Sequence, residues 1–326
     1  MSKSSSHRYL ITGVGGFVAQ HFIEYLERFE GGAVVLGVDI AEPKVRHGSH
    51  PFSFLKLNLS DREAVERCLL DFQPTRVLHL ASVSSVGVSW KSPVESFTNN
   101  TNIFLNLLEG IRQNYIDART LSVGSSEEYG QVTPEDLPLV ETHPLSPSSP
   151  YGVARVAQEQ LSRVYAQGFD VDIVMTRSFN HIGPGQRDLF VVPSLVKQAV
   201  RSKLSGEKRC TIRAGETRVI RDFLDVRDVV VAYSMLFEHG PRGEVFNICS
   251  GVGRSLDQIL EILGNLLNLE IEVVRDPNLI RPNELMEVVG SPEKLQSLLG
   301  WKPRFDLRTS LGDLILEAQT QYYNAD

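Results

Sequence analysis

Tyr9-Leu-Ile-Thr-Gly-Val-Gly-Gly-Phe-Val-Ala19 opens the regular part of the chain, and Asp39 follows about twenty residues later. Tyr9, Leu10 and Ile11 form a short apolar run that reads as a buried strand. Gly13 and Gly16 permit a tight turn, and Val18, Phe22, Ile23 and Leu26 recur at helical spacing as far as Phe29. This order lets backbone N–H groups at the positive end of a helix face a pyrophosphate with no side chain in between. Ala33 to Val38 reads as a second strand. It ends at Asp39, whose carboxylate is suited to accept hydrogen bonds from both hydroxyls of an adenosine ribose. A 2′-phosphate would be repelled there, so Asp39 favours NAD over NADP. A glycine cluster alone often marks only a turn, and it is the strand before, the helix after and the acid beyond that point to a dinucleotide. Ala19 holds the third position of the pattern, a substitution tolerated where helix and sheet lie close.

Composition narrows the class. At 326 residues and 42% apolar, the chain can bury a full core in one large or two modest domains. Its 33 basic and 40 acidic residues leave a net charge of −7, and the basic ones are scattered, which argues against a nucleic-acid partner. Cys68, Cys210 and Cys249 are odd in number, far apart and never in CxxC spacing. That pattern argues against a disulfide framework or a zinc site, so no metal is expected, and it fits a cytoplasmic location. Met1 to His7 is polar and reads as a frayed tail. No apolar run approaches membrane-spanning length, so no membrane partner is expected.

Beyond Asp39, residues 41 to 51 read as a loop over the cofactor edge, and Phe52–Leu57 as a third strand. A helix follows over Arg62–Phe72, then a strand at Arg76–Ala81 and a small polar loop at Ser82–Ser89, the composition of a segment that approaches a ligand. Pro93–Gln113 carries a long helical pattern interrupted by Asn99, Asn100 and Asn102, at least one of which is expected to make a specific hydrogen bond. Arg119–Val123 is the next strand, Tyr151–Phe169 the next helix after a Pro-rich connection, and Val171–Thr176 the next strand. Repeated β-α order predicts a Rossmann-type α/β fold with a doubly wound parallel sheet over residues 1–178. Residues 179–326, with Gly183, Pro184, Gly185 and Pro193 read as loop, form mainly a smaller substrate-binding domain. Segments near 215–250 return to the first domain.

Tyr151 and Arg155 stand at i and i+4, hence on one helical face. A cation next to a phenol favours the phenolate and fits it to exchange a proton with an alcohol or ketone. Ser125, at the end of a Gly-Ser-Ser strand, adds a hydroxyl donor for the same oxygen. The plainer alternative is a core tyrosine beside a surface arginine.

Several phrases in order carry a family resemblance: Thr12-Gly-Val-Gly-Gly-Phe-Val18, His79-Leu-Ala81, Ser125-Ser-Glu-Glu-Tyr-Gly130 and Ser149-Pro-Tyr151. Arg177-Ser-Phe-Asn-His-Ile-Gly-Pro-Gly-Gln186, Arg221-Asp-Phe-Leu-Asp-Val-Arg-Asp228, Phe246 to Gly251, Arg281-Pro-Asn-Glu284 and Gly300-Trp-Lys-Pro303 extend it over essentially the whole chain. The sequence resembles the extended short-chain dehydrogenase/reductases acting on nucleotide sugars, and within them most closely the GDP-4-keto-6-deoxymannose reductases and GDP-mannose 4,6-dehydratases.

The resemblance implies a catalytic set of Ser125, Tyr151 and Arg155. It also implies a dinucleotide held by Gly13, Gly16, Phe17, Val18, Asp39, Leu80 and Ala81. Asn180, Arg221 and Arg281 would hold a sugar nucleotide, GDP-linked, and two arginine forks suit a pyrophosphate better than one ammonium. For Arg221 the alternative is an ion pair with Asp222 or Asp225. Glu127 stands where the dehydratases keep the glutamate that works as acid and base in elimination, so dehydration is open beside C4 ketone reduction. Lysine is the family's residue at position 155. The arginine there keeps the charge in a larger, planar, forked form, which also leaves open a catalytically weak sugar-nucleotide-binding protein. Asp39 pulls toward NAD, and with it toward dehydratase or epimerase chemistry, where the comparable reductases commonly use NADPH. A homodimer or homotetramer joined through the helices at Pro93–Gln113 and Tyr151–Phe169 is the family expectation.

Overall fold

A computed structural model describes residues 7–43, 52–280 and 283–324. The first half runs β1 (Arg8–Thr12), α1 (Phe17–Phe29), β2 (Val34–Asp39), β3 (Ser53–Lys56), α2 (Arg62–Phe72) and β4 (Arg76–His79). It continues through α3 (Val86–Lys91), α4 (Pro93–Gln113), β5 (Arg119–Ser125), α5 (Pro150–Gly168) and β6 (Ile173–Ser178). The second half holds β7 (Asn180–Ile182), α6 (Val191–Leu204), β8 (Arg209–Ala214), β9 (Ile220–Asp225), α7 (Val226–His239) and β10 (Val245–Ile248). It closes with β11 (Gly253–Ser255), α8 (Leu256–Leu267), β12 (Glu270–Arg275), β13 (Glu287–Val288), α9 (Glu293–Leu299) and α10 (Leu307–Tyr323).

Seven strands form one sheet in the order β10-β6-β5-β4-β1-β2-β3, every pair parallel. Alternation along β1 serves both faces. Tyr9 and Ile11 pack with Phe22, Ile23 and Leu26 of α1 and with Leu236 and Phe237 of α7. Leu10 points the other way, into Val65 and Leu69 of α2, Leu107 and Leu108 of α4, and Tyr165 of α5. The chain reverses its winding between β1 and β4, and in such sheets ligands bind at the carboxyl ends on either side of that reversal. A second core gathers α6, α8 and α10 over β8, and β11, β9 and β13, with β7 against β9, form a separate small sheet whose strands are interleaved in sequence with that core.

Some expectations are corrected. The Ser82–Ser89 stretch is not loop throughout, because Ser85 caps a short helix by accepting from Val88 N–H at 3.3 Å. Pro193 lies in the first turn of α6 rather than in a loop, where its missing N–H has no helical partner to lose. His7 is not frayed, since its carbonyl accepts from Val34 N–H at 2.9 Å. Residues 1–6 and 44–51, with most of the loop expected after Asp39, lie outside the described residues. Asn100 makes the specific bond expected of that region, clasping Val83 through Oδ1 at 2.8 Å and Nδ2 at 3.4 Å. Among the described residues no helix is long and apolar enough to cross a membrane.

Candidate active site

At the crevice, Gly13 has φ +71°, and a Cβ on it would stand 2.8 Å from Ala81 N and 2.9 Å from Ala81 Cα. Only glycine lets β1 leave the sheet this close to the end of β4. Thr12 pins the same place, its Oγ1 accepting from the Leu80 and Ala81 N–H groups at 3.1 Å each. Its proton is then free for His79 Nδ1 at 2.9 Å. Burial, then the Arg155 charge, push the His79 imidazole down to about 3, so it is neutral. Gly16 caps α1 with no side chain, and no acid stands in the first turn. Phe17 and Val18 begin that helix. Asp39 Oδ2 accepts from Gly15 N–H at 2.9 Å and Oδ1 from Ile40 N–H at 2.7 Å, which fixes the carboxylate at the rim of the glycine turn. A helix end with no side-chain cap, a turn that admits no Cβ at Gly13 and an acid at its rim fit a dinucleotide's pyrophosphate and ribose.

Replacing Gly13 by Ala is expected to cost more than the ~1–2 kcal/mol of a left-handed L-residue, because Ala81 backbone must also retreat. Thermal unfolding should show a lowered Tm, and fluorescence titration a large loss of NAD(P)H affinity. A variant that binds normally would mean the turn is not the docking point.

On α5, Tyr151 and Arg155 are 6% and 4% exposed. Arg155 is therefore no surface arginine. Its Nε donates to Tyr151 Oη at 3.0 Å and Nη1 donates to Val123 O at 3.1 Å, which ties the helix to β5 two residues before Ser125. Ser125 Oγ accepts from Glu127 N–H at 3.2 Å, leaving its own proton to donate. The backbone of Glu127 lies against the first turn of α5, where a Cβ on Gly152 would come within 2.6 Å of Glu127 O. Ser178 pairs with Ser125 across β5 and β6, and its Oγ lies 3.0 Å from Tyr233 Oη of α7, a residue sequence reading missed.

Beneath Ser125 lies a buried charge cluster, of which only the capping-box contact between Glu128 and Ser125 has a local sequence pattern. Arg177 forks onto Glu159 with both bonds at 2.8 Å and stands 4.0 Å from Glu128 Oε2, while Glu128 Oε1 accepts from Ser125 N–H at 2.7 Å. Arg163 also donates to Glu159 Oε1, at 3.0 Å, so both cations spend their hydrogen bonds on Glu159 and neither donates to Glu128. Burial, then the Glu159 charge, hold the Glu128 carboxyl well above the usual range, so it is the protonated member. Such a group stabilises fully below the unfolded carboxyl's value and loses that contribution as pH rises toward its folded value. Glu128→Gln, which mimics the neutral acid, is accordingly expected to gain on the wild type by about 1.4 kcal/mol per pH unit across that window. Urea unfolding from pH 5 to pH 8 measures it, and a pH-independent difference would refute the protonated state.

Asn180 faces Phe223 across β7 and β9, and Arg221 shares that face two residues earlier on β9. Arg221 pairs with neither Asp222 nor Asp225. Its Nη2 donates to Glu284 Oε1 at 2.8 Å, while Asp222 accepts from Ser250 and Gly251 and Asp225 binds Arg227. Arg281 lies outside the described residues.

This sheet, its glycine turn and the acid ending β2 mark the chain as an NAD(P)-dependent enzyme of the extended short-chain dehydrogenase/reductase class, as its relatives show. It belongs to the GDP-mannose 4,6 dehydratase family, whose profile matches residues 10–314. It is 32% identical to the GDP-6-deoxy-D-mannose reductase of Pseudomonas aeruginosa over 320 residues, 97% of this chain and 98% of that one. The solved structure of RMD from Pseudomonas aeruginosa complexed with NADPH superposes with a TM-score of 0.82 at 30% identity, covering 97% and 98% of the two chains. Thermus thermophilus UDP-glucose 4-epimerase in complex with NAD gives a TM-score of 0.84 at 30% identity, covering 96% and 99%.

Proposed function

We propose that this protein reduces the C4 ketone of a GDP-linked 4-keto-6-deoxyhexose. The observation that carries this reading is the buried Tyr151–Arg155 pair at the carboxyl edge of the sheet, with Nε 3.0 Å from Oη. The similarity over nearly the whole chain to a GDP-6-deoxy-D-mannose reductase supports the substrate. Bound nicotinamide supplies the hydride. Tyr151 gives its phenolic proton to the ketone oxygen as negative charge develops there, and Ser125 donates a hydrogen bond to the same oxygen. Arg155 holds the phenolate left behind, in a site dry enough for its charge to count. Asn180, Arg221 and Arg281 take the sugar nucleotide, with Arg221 turning from Glu284 toward the diphosphate.

Glu127 favours a second reading, 4,6-dehydration of GDP-mannose, because it supplies a carboxylate two residues after Ser125 for removal of water across C5 and C6. Two incubations separate them. Consumption of GDP-4-keto-6-deoxymannose with NADH or NADPH supports the reductase. Formation of a 4-keto product from GDP-mannose without added reductant overturns it in favour of the dehydratase. The rim position of Asp39 favours NADH as the better donor. Exposed Val94 and Phe97 on α4 with Val153 and Val164 on α5 suit a homodimer, or a homotetramer built from it, which light scattering tests. The three cysteines are free and buried, in keeping with a reducing cytoplasm.

A further inference from the structure

Behind the Tyr151–Arg155 pair runs a chain of buried polar side chains that the reaction above does not use. Arg155, Gln158 and Ser162 stand at i, i+3 and i+7 on the face of α5 that meets β5, where apolar side chains would ordinarily pack. Arg155 Nη1 donates to Gln158 Oε1 at 2.5 Å as well as to Val123 O. Gln158 Nε2 donates in turn to Ser122 Oγ at 2.9 Å and to Val123 O at 3.1 Å, and Ser162 Oγ lies 3.1 Å from Ser122 Oγ. Gln158 and Ser162 are 1% and 0% exposed.

Burying an amide and two hydroxyls costs free energy unless each is partnered, and apolar side chains would fill the same space without that requirement. Here the partners form one line that ends on the guanidinium. A guanidinium is a rigid plane, so once Nη1 is clamped the direction of the Nε–H bond is set too. That direction leads to Tyr151 Oη. A lysine ammonium has rotatable donors and no such plane, so a clamp two bonds away would not aim it.

We propose that Gln158 is a positioning residue, clamping the Arg155 guanidinium through Nη1 so that Nε is directed at the phenolic oxygen of Tyr151. The pair Arg155–Gln158 thus does jointly what a lysine at position 155 would do alone. This rests on the reading of Tyr151 as proton donor in ketone reduction.

The test is a cycle of wild type, Gln158→Met, Arg155→Lys and the double variant, assayed with GDP-4-keto-6-deoxymannose and whichever of NADH and NADPH the wild type uses better, with crystal structures of the unliganded proteins. Gln158→Met is expected to lower kcat by about tenfold or more while KM changes less than about twofold. Its structure should show Arg155 Nε beyond hydrogen-bonding distance of Tyr151 Oη. In the lysine background the same substitution should change kcat less than about twofold, while Tm falls in both backgrounds because Ser122 Oγ and Val123 O lose a buried donor. Equal kcat losses in both backgrounds, or an undisturbed Nε to Oη bond in the Gln158→Met crystal, would overturn the proposal. If Gln158→Met does not fold, Gln158→Ala takes its place with the same expected outcomes. If the wild type turns over no ketosugar with either dinucleotide, the functional reading falls, and the crystal structures still judge the clamp by themselves.

Discussion

Tyr151→Phe is expected to lower kcat for ketone reduction by about 10²–10⁴-fold, the range for loss of a positioned general acid. The substitution removes one oxygen and keeps the ring, so the packing of a residue only 6% exposed is undisturbed. What is lost is the proton donor and the acceptor for Arg155 Nε. Leaving that buried donor without its partner costs about 1–3 kcal/mol, which thermal unfolding should register as a modest drop in Tm. KM for the ketosugar should barely move, because the proton transfer belongs to the transition state rather than to ground-state binding. A kcat within about threefold of wild type would remove Tyr151 from the chemistry, since no positioned acid contributes so little.

The largest stability effect is expected at Arg177. Arg177→Met keeps most of the side chain's length and removes the cation from between Glu159 and Glu128, with its bond to Glu141 O at 3.0 Å and its place 4.8 Å over the Tyr129 ring. Breaking a buried ion pair from one side costs about 3–5 kcal/mol, and the lower end is expected here because Arg163 still holds Glu159 Oε1 at 3.0 Å. The pH dependence has a definite sign. Burial opposes ionisation of Glu159, but the bonds and charge of Arg177, and after them those of Arg163, outweigh it and hold its carboxyl below the usual range. A carboxylate of this kind stabilises above its unfolded value, and the contribution fades as pH falls through its folded value. The penalty of Arg177→Met should therefore be greatest near neutral pH and shrink under acid conditions in urea unfolding. A penalty that grew as pH fell would contradict the assigned charges. Because Glu128 also holds Ser125 N–H, the variant should lose kcat beyond its loss of folded protein.

Both experiments address groups that differ in how they could be read beforehand. Tyr151 and Arg155 are one helical turn apart, so their meeting follows from helix geometry alone. Arg177 touches Glu159 across 18 positions and Gln158 touches Ser122 across 36, each through the packing of α5 onto the sheet. The spacing of Gln158 three residues after Arg155 was a signal available in the chain. Nothing local marked Ser122 as the partner of Gln158 or Glu159 as that of Arg177, whereas the bond from Ser125 N–H to Glu128 follows the local capping-box spacing of three residues. Arg221 is the clearest case: two acids stood next to it in sequence, and the ion pair formed with Glu284, 63 residues away.

What the residues determined by themselves is everything set within one turn or one element. Strand, glycine turn and helix at β1–α1, the bounds of α4, the acid ending β2 and the phenol–guanidinium face of α5 depend on backbone sterics, capping and periodicity, all local. Tertiary structure alone decided which charges meet, which carboxyl stays protonated beneath Ser125, and how Arg155 is clamped. Those outcomes depend on burial and on distances between elements far apart in the chain, and the energies of charged and polar groups change most when neighbouring elements take water away from them.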